Sequence, residues 1–412
     1  MARVRQSAPS AGSALREFLR TEAASGILLV VAAVVALSWA NSPWSSSYER
    51  VWTTSTSITI DHHTLHLLLR EWVNEGLITI FFFVVGLEIR RELVGGRLAG
   101  RRAALLPVAA AIGGMAVPAL IYLSIAGRTA PRGWAIVVAT DIALAVGVLS
   151  IAGRRVSPSM RVFLLAVAVV DDLGALLIIA AAYSNDIAWG WLAVAIAVFG
   201  MACVARRVGV HELWVYLALG GVLWLTLHAG GVSPTLAGVG MGLLAPFGSG
   251  ASDRAVALVE RLEQLLHPWS SYVIVPLFAL ANSGLTFTTN LMHAAIRSPI
   301  TWAIVVGRVV GKPVGIVLTT KSLVRARLAD ATGEPQRKML GVATSAGMGF
   351  TVALFIAGLA FSDPMRRSIA TLAILLAAVI AGGLSLTILR FGNDGIVDRT
   401  EAPIGDAPEC SP

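Results

Sequence analysis

Apolar residues run through this chain in long blocks interrupted by short polar connections. Twelve blocks are long enough to cover a hydrocarbon core of about 30 Å as helices of about 20 residues. They lie near 24–40, 72–89, 103–126, 134–152, 162–184, 188–205, 213–229, 231–247, 271–286, 299–319, 339–360 and 368–390. The pattern predicts an all-α polytopic membrane protein. The seventh and eighth blocks are separated only by the turn "HAGGVSP" at 228–234, a glycine and proline cluster that punctuates helices. Ahead of the first block, "SALREFLRTE" at 13–22 has the mixed character of an amphipathic helix at the membrane interface. Between the first two blocks, 41–70 holds "TTSTSITI", a β-branched stretch that predicts a small hairpin.

The division that follows is a cytoplasmic N-terminus over 1–22, a transporter domain over 23–390 with its hairpin loop at 41–70, and a disordered tail over 391–412 rich in Asp, Pro and Gly. Composition agrees with a membrane protein: 56% of residues are hydrophobic and 14% charged, against roughly 25% charged in soluble domains. Of the 32 lysines and arginines, most fall in alternate connections, including Arg90, Arg91, Arg101, Arg102, Arg206, Arg207, Lys321 and Arg325. Such loops face the cytoplasm, which places both termini inside. The net charge of +8 is then accounted for by anionic lipid at the inner face and requires no nucleic acid. Cys203 and Cys410 make no disulfide framework or metal spacing. His62, His63 and His66 include an i, i+4 pair without a carboxylate or thiol pattern to complete a metal site.

Ionisable residues inside the apolar blocks carry the chemistry, since each costs roughly 2.5 to 3.5 kcal/mol at a helix centre on insertion scales. "VAVVDDLGAL" at 167–176 contains two adjacent aspartates. Asp171 stands ten residues beyond Arg161, about 15 Å deep at 1.5 Å per residue. Lys312, nine residues before Lys321, lies at about 13 to 14 Å. Asp141, thirteen residues before Arg154, is about 20 Å deep by the same arithmetic. Three carboxylates and an ammonium therefore share the middle layer. Neighbouring side chains on a helix do not face one another, so Asp171 and Asp172 address different surroundings. One arrangement pairs one of them with Lys312 and leaves the other in a water-filled cavity, where a proton or a hard cation could bind. The residues alone leave open that such charges only join helices, and they leave the partner of Arg308 open.

"ATSAGMGFTVALF" at 343–355 places Ser345, Gly347, Gly349 and Thr351 in the middle of the eleventh block. This is poor helix material, and it predicts an unwound segment of the kind that transporters use at mid-membrane. The fourth block has Thr140 beside Asp141 but no glycine there, so composition predicts no break. Adjacent aspartates cannot form the dyad of an intramembrane protease, and "GRVVGKP" lacks the glycine spacing of a P-loop. The residues indicate a secondary transporter rather than an enzyme, with a proton-coupled carrier of another cation or small solute as the alternative.

The segments "FFFVVGLEIRREL", "ATDIALAVG", "VAVVDDLGAL", "GVSPTLAGV", "LHPW", "PLFALANSG", "GKPVGI" and "SAGMGFTVALFIAGLAF" occur in an order and spacing that resembles the bacterial sodium/proton antiporters of the NhaA family, from about residue 16 to about 390. The resemblance implies twelve transmembrane helices, with spans 3–5 and 10–12 as inverted repeats. It implies that the fourth and eleventh spans unwind and cross, and that the hairpin supports a homodimer. It further implies residence in the bacterial inner membrane and electrogenic exchange of Na⁺ or Li⁺ for a larger number of H⁺, with pH-dependent activation and no cofactor. By this resemblance Asp172 is the principal cation-binding carboxylate, Asp171 its partner paired with Lys312, and Thr140 a further Na⁺ ligand. Asp141 then balances the facing helix ends, while Glu88, Glu92, Arg91 and Glu263 match residues tied to pH activation. One departure is "GGVSPTLAG", with Ser233 and Pro234 where the family often has histidine then alanine.

Overall fold

A computed structural model describes residues 11–60, 63–94, 101–183, 188–210, 212–245, 253–329 and 333–391. It is mostly helical, and helix occupies part or all of each of the twelve apolar blocks. Among the described residues eight helices are long and apolar enough to cross a membrane: Thr21–Ala40, Leu69–Val94, Ala104–Ala126, Pro131–Ala152, Pro158–Ala182, Trp189–Val208, Pro299–Arg325 and Pro364–Phe391. Leu213–Ala229 is shorter, and the eighth block forms a helix only over Thr235–Leu243. Many of their outward apolar side chains, such as Val30, Ile196, Trp214 and Val379, are exposed, as expected of surfaces that face lipid.

Residues 13–22 are helical and run without a break into the first block, as one helix over Ala11–Ala40. No glycine or proline lies between 13 and 22 to interrupt it. The connection between the first two blocks contains a hairpin, Ser55–Ile60 paired antiparallel with His63–Leu68. A helix over Ser45–Trp52 precedes it, and its Tyr48 and Trp52 are buried. The Tyr48 hydroxyl donates to the Leu280 carbonyl at 2.8 Å and accepts from the Gly284 amide at 3.1 Å, which anchors the loop to the end of the ninth block. His66 is exposed opposite Ser57. His62 lies outside the described residues, as does 392–412, and the described residues hold no cluster of three metal-ligating side chains.

Small residues set the closest helix contacts, because hydrophobicity does not drive helices together within lipid and short side chains let backbones approach. The short helix Thr235–Leu243 lies against Ile78–Val94 through Gly238, Gly242 and Gly86, and a Cβ on Gly86 would come within 2.8 Å of the Val239 carbonyl. Gly113 and Gly114 meet Gly315 and Ile316 in the same way, whereas Gly383 has open space around it. These contacts join the second block to the eighth and the third to the tenth, and the tenth carries the buried Arg308 and Lys312.

Candidate functional site

Both central helices are interrupted. The fourth block runs as a 3₁₀ helix over Pro131–Val137, loses helical form at 138–141, and resumes as Ile142–Ala152. The eleventh is helical over Gln336–Ser345 and Thr351–Ala360, with 346–350 non-helical between them. The breaks touch: the Asp141 amide donates to the Met348 carbonyl at 2.8 Å. Each break exposes helix ends whose backbone groups lack partners and whose dipoles add charge. The N-terminal ends are served by Asp141, whose carboxylate accepts from the Leu144 amide at 3.2 Å and from the amide and hydroxyl of Thr351 at 3.2 and 3.0 Å. The carbonyl ends are served by cations: Arg308 donates to the carbonyls of Gly349, Ile136 and Ala139, and Lys312 to that of Val138.

The helix Pro158–Ala182 crosses beside the breaks and brings in the aspartate pair. Asp171 is fully buried, and its Oδ2 accepts from the Lys312 ammonium at 2.8 Å and from the Thr140 hydroxyl at 2.7 Å. Asp172 points elsewhere. Its Oδ1 is buried without a hydrogen-bond partner, and it lies on the wall of a cavity that is also lined by Thr140, Asp141, Glu88, Glu22 and His267. The charges that act on Asp172 are mostly acidic, from Asp171, Glu88 and Asp141, with Lys312 the cation among them. An unpartnered carboxylate next to a hydroxyl and a second carboxylate offers hard oxygen ligands to a small cation, and equally an acceptor to a proton.

Of the four residues matched to pH activation, Glu88 alone lines this cavity. Arg91 and Glu263 form an ion pair apart from the cavity wall, and Glu92 is not on that wall. Sequence reasoning missed Glu22 and His267, which pair at 3.3 Å beside Glu88. The hydrogen bond to Glu22 holds His267 above the ordinary histidine pKa, against an opposing effect of burial. A signal was present, since His267, Ser270 and Ser271 recur at the i, i+3, i+4 spacing of one helix face, and Glu22 with Ser25 does the same. Ser233 hydrogen-bonds to Thr235 at 2.7 Å within the turn. The nearby histidine is His228, which pairs with Glu75 at 2.9 Å under the stacked indole of Trp224.

A family model described as Na⁺/H⁺ antiporter 1 matches residues 16–389. Curated relatives include "Na(+)/H(+) antiporter NhaA 2" of Sorangium cellulosum, 42% identical over 91% of this chain and 89% of its own length. "Na(+)/H(+) antiporter NhaA" of Acidovorax sp. is 43% identical over 90% of each chain. Its namesake in Rhodospirillum rubrum is 43% identical over 92% of this chain and 97% of its own. Among solved structures, the sodium proton antiporter MjNhaP1 of Methanocaldococcus jannaschii shares the fold with a TM-score of 0.50 at 14% identity, over 92% of this chain and 99% of that one.

Proposed function

The chain belongs to the NhaA family of Na⁺/H⁺ antiporters, and on that premise we propose that it exports sodium in exchange for a larger number of inward-moving protons, with Asp172 as the carboxylate that binds both. The observation that carries this reading is that Asp172 lies on the cavity wall with its Oδ1 unpartnered and, among the described residues, no cation within ion-pair distance, whereas Asp171 is paired through Oδ2 with Lys312 and Thr140. A buried carboxylate with no fixed partner is unfavourable unless a mobile ion completes it. Sodium and protons then compete for the same oxygens, and each one's arrival expels the other. Lithium, also a small hard cation, is a second substrate on the same grounds.

In this mechanism Na⁺ entering the cavity meets Asp172, with Thr140 and Asp171 as further oxygen ligands. Asp171 is committed to Lys312 and Thr140 in the present arrangement, so binding the ion requires that pairing to loosen. Release of protons from two groups, Asp172 with either Asp171 or Lys312, lets a net charge cross on each cycle. The membrane potential then contributes about 2.3 kcal/mol per charge per 100 mV. Glu88 on the cavity wall stands two residues before Arg90; with such basic ends taken as cytoplasmic, this supports reading the arrangement as inward-facing, in an inner-membrane protein with both termini cytoplasmic. Rocking of spans 3–5 and 10–12, as inverted repeats among twelve spans, would carry the site to the other face, and the hairpin would join two copies in a homodimer. Glu88, Glu92, Arg91 and Glu263, with Glu22 and His267, would govern access with pH. Sodium-dependent proton flux in proteoliposomes under an imposed potential tests the proposal. Flux that ignores sodium overturns the exchange, and flux that ignores the potential overturns the unequal stoichiometry.

A further inference from the structure

Arg308 is completely enclosed, and among the described residues no carboxylate stands within ion-pair distance of it. Its guanidinium is instead divided among main-chain carbonyls of both interrupted helices: Gly349 in one, and Ile136 at 2.7 Å and Ala139 at 3.2 Å in the other. It lies in the π-helical turn Gly307–Gly311, one turn before Lys312 on the same helix face. A planar fork of five N–H donors serves several acceptors at once, which a single ammonium cannot do in the same geometry.

Carbonyls freed where a helix unwinds are ready ligands for alkali cations in transporters. Here several of them already have donors. Arg308 takes those of Ile136, Ala139 and Gly349, Lys312 takes that of Val138, and the Thr140 hydroxyl lies 3.0 Å from that of Ala346. We infer that Arg308 is a positioning residue for the cation site: its fork ties the two breaks into one register, holds Thr140 and Asp141 in place through the 138–141 segment, and leaves the ion only carboxylate and hydroxyl oxygens. The inference rests on the sodium exchange proposed above. Glycine at 349 is part of the same device, because a Cβ there would collide with the Ala139 carbonyl and the guanidinium.

The test compares wild type, Arg308→Lys, Arg308→Met and Gly349→Ala in proteoliposomes by sodium-dependent proton flux, with amide hydrogen exchange on the same purified proteins. Loss of charged hydrogen bonds that position the ligands is expected to raise the KM for Na⁺ about tenfold in Arg308→Lys, with little change in maximal rate. Amides of 138–141 and 346–350 should exchange faster together, because one side chain restrains both. A KM equal to wild type in Arg308→Lys and Gly349→Ala, with only the thermal midpoint lowered, would reduce Arg308 to packing and overturn the inference. Should Arg308→Met fail to fold, these two variants still decide. A wild type without sodium-dependent flux would overturn the exchange reading instead, and the paired change in amide exchange would still decide whether Arg308 holds both breaks.

Discussion

The buried layer has a sealed half and an open half, divided between two consecutive residues. On the sealed side Asp171 is paired through its Oδ2 with Lys312 and Thr140, with Asp171 and Lys312 fully enclosed. On the open side Asp172 faces a cavity with Glu88, Glu22 and His267, and among the described residues no cation stands within ion-pair distance of it. The helix turns about 100° between adjacent residues, and this rotation separates the buried ion pair of Asp171 from the carboxylate of Asp172 on the cavity wall. Breaking a paired buried charge strands its partner and lowers stability, whereas neutralising an unpaired one relieves desolvation and removes whatever it binds. The two halves should therefore respond in opposite ways to substitution.

The largest expected effect is on the open side. Asp172→Asn keeps the shape but removes the charge and the titrating group, so sodium-dependent proton flux should fall below detection while the thermal midpoint holds or rises. Flux near that of wild type would remove Asp172 from the mechanism. On the sealed side, Lys312→Met leaves Asp171 buried without its cation and should lower stability by about 3 to 5 kcal/mol, seen as a lower thermal midpoint. If Lys312 is also the second proton carrier, any remaining exchange in this variant should be insensitive to an imposed potential. Continued electrogenic exchange would assign that proton to Asp171.

A smaller effect is expected between the halves, where Asp141 caps the resumed helix at Leu144 and reaches Thr351 across the crossing. Asp141→Ala should lower stability by about 0.5 to 2 kcal/mol, the range for a lost helix cap, and reduce flux without abolishing it. The mildest change concerns the cavity mouth. The hydrogen bond to Glu22 raises the His267 pKa above its ordinary 6.5, so this pair contributes fully below that value and weakens as pH rises through the raised one. Alkaline conditions then loosen the contact between the first and ninth helices. His267→Gln should flatten the pH dependence of flux on this side of neutrality, as measured by flux titrated from acid to alkaline pH. A profile that superimposes on wild type would detach the pair from regulation.

Much of this arrangement was legible along the chain. Apolar block lengths marked the helices, since a bilayer admits few other backbone forms. The depths of Asp171 and Lys312, reckoned from basic flanks, put them in one layer, and the glycines at 347 and 349 with Ser345 marked one interruption because they weaken a helix intrinsically. The second interruption, at 138–141, carries no such mark. Val138, Ala139 and Thr140 are no worse for a helix than much of the chain, and the break is held by groups distant in sequence: Arg308 and Lys312 on its carbonyls and Met348 on the Asp141 amide. The same holds for Arg308, whose partners are main-chain carbonyls that no pattern of side chains can reveal, and for Glu22 with His267, brought together from positions far apart in the chain. The sequence by itself determined which segments enter the membrane and which charges go with them, because burial in lipid depends on local composition. Only the tertiary structure decided which helix stops short and which aspartate is left without a partner, because both depend on where hydrogen-bonding groups from other helices arrive.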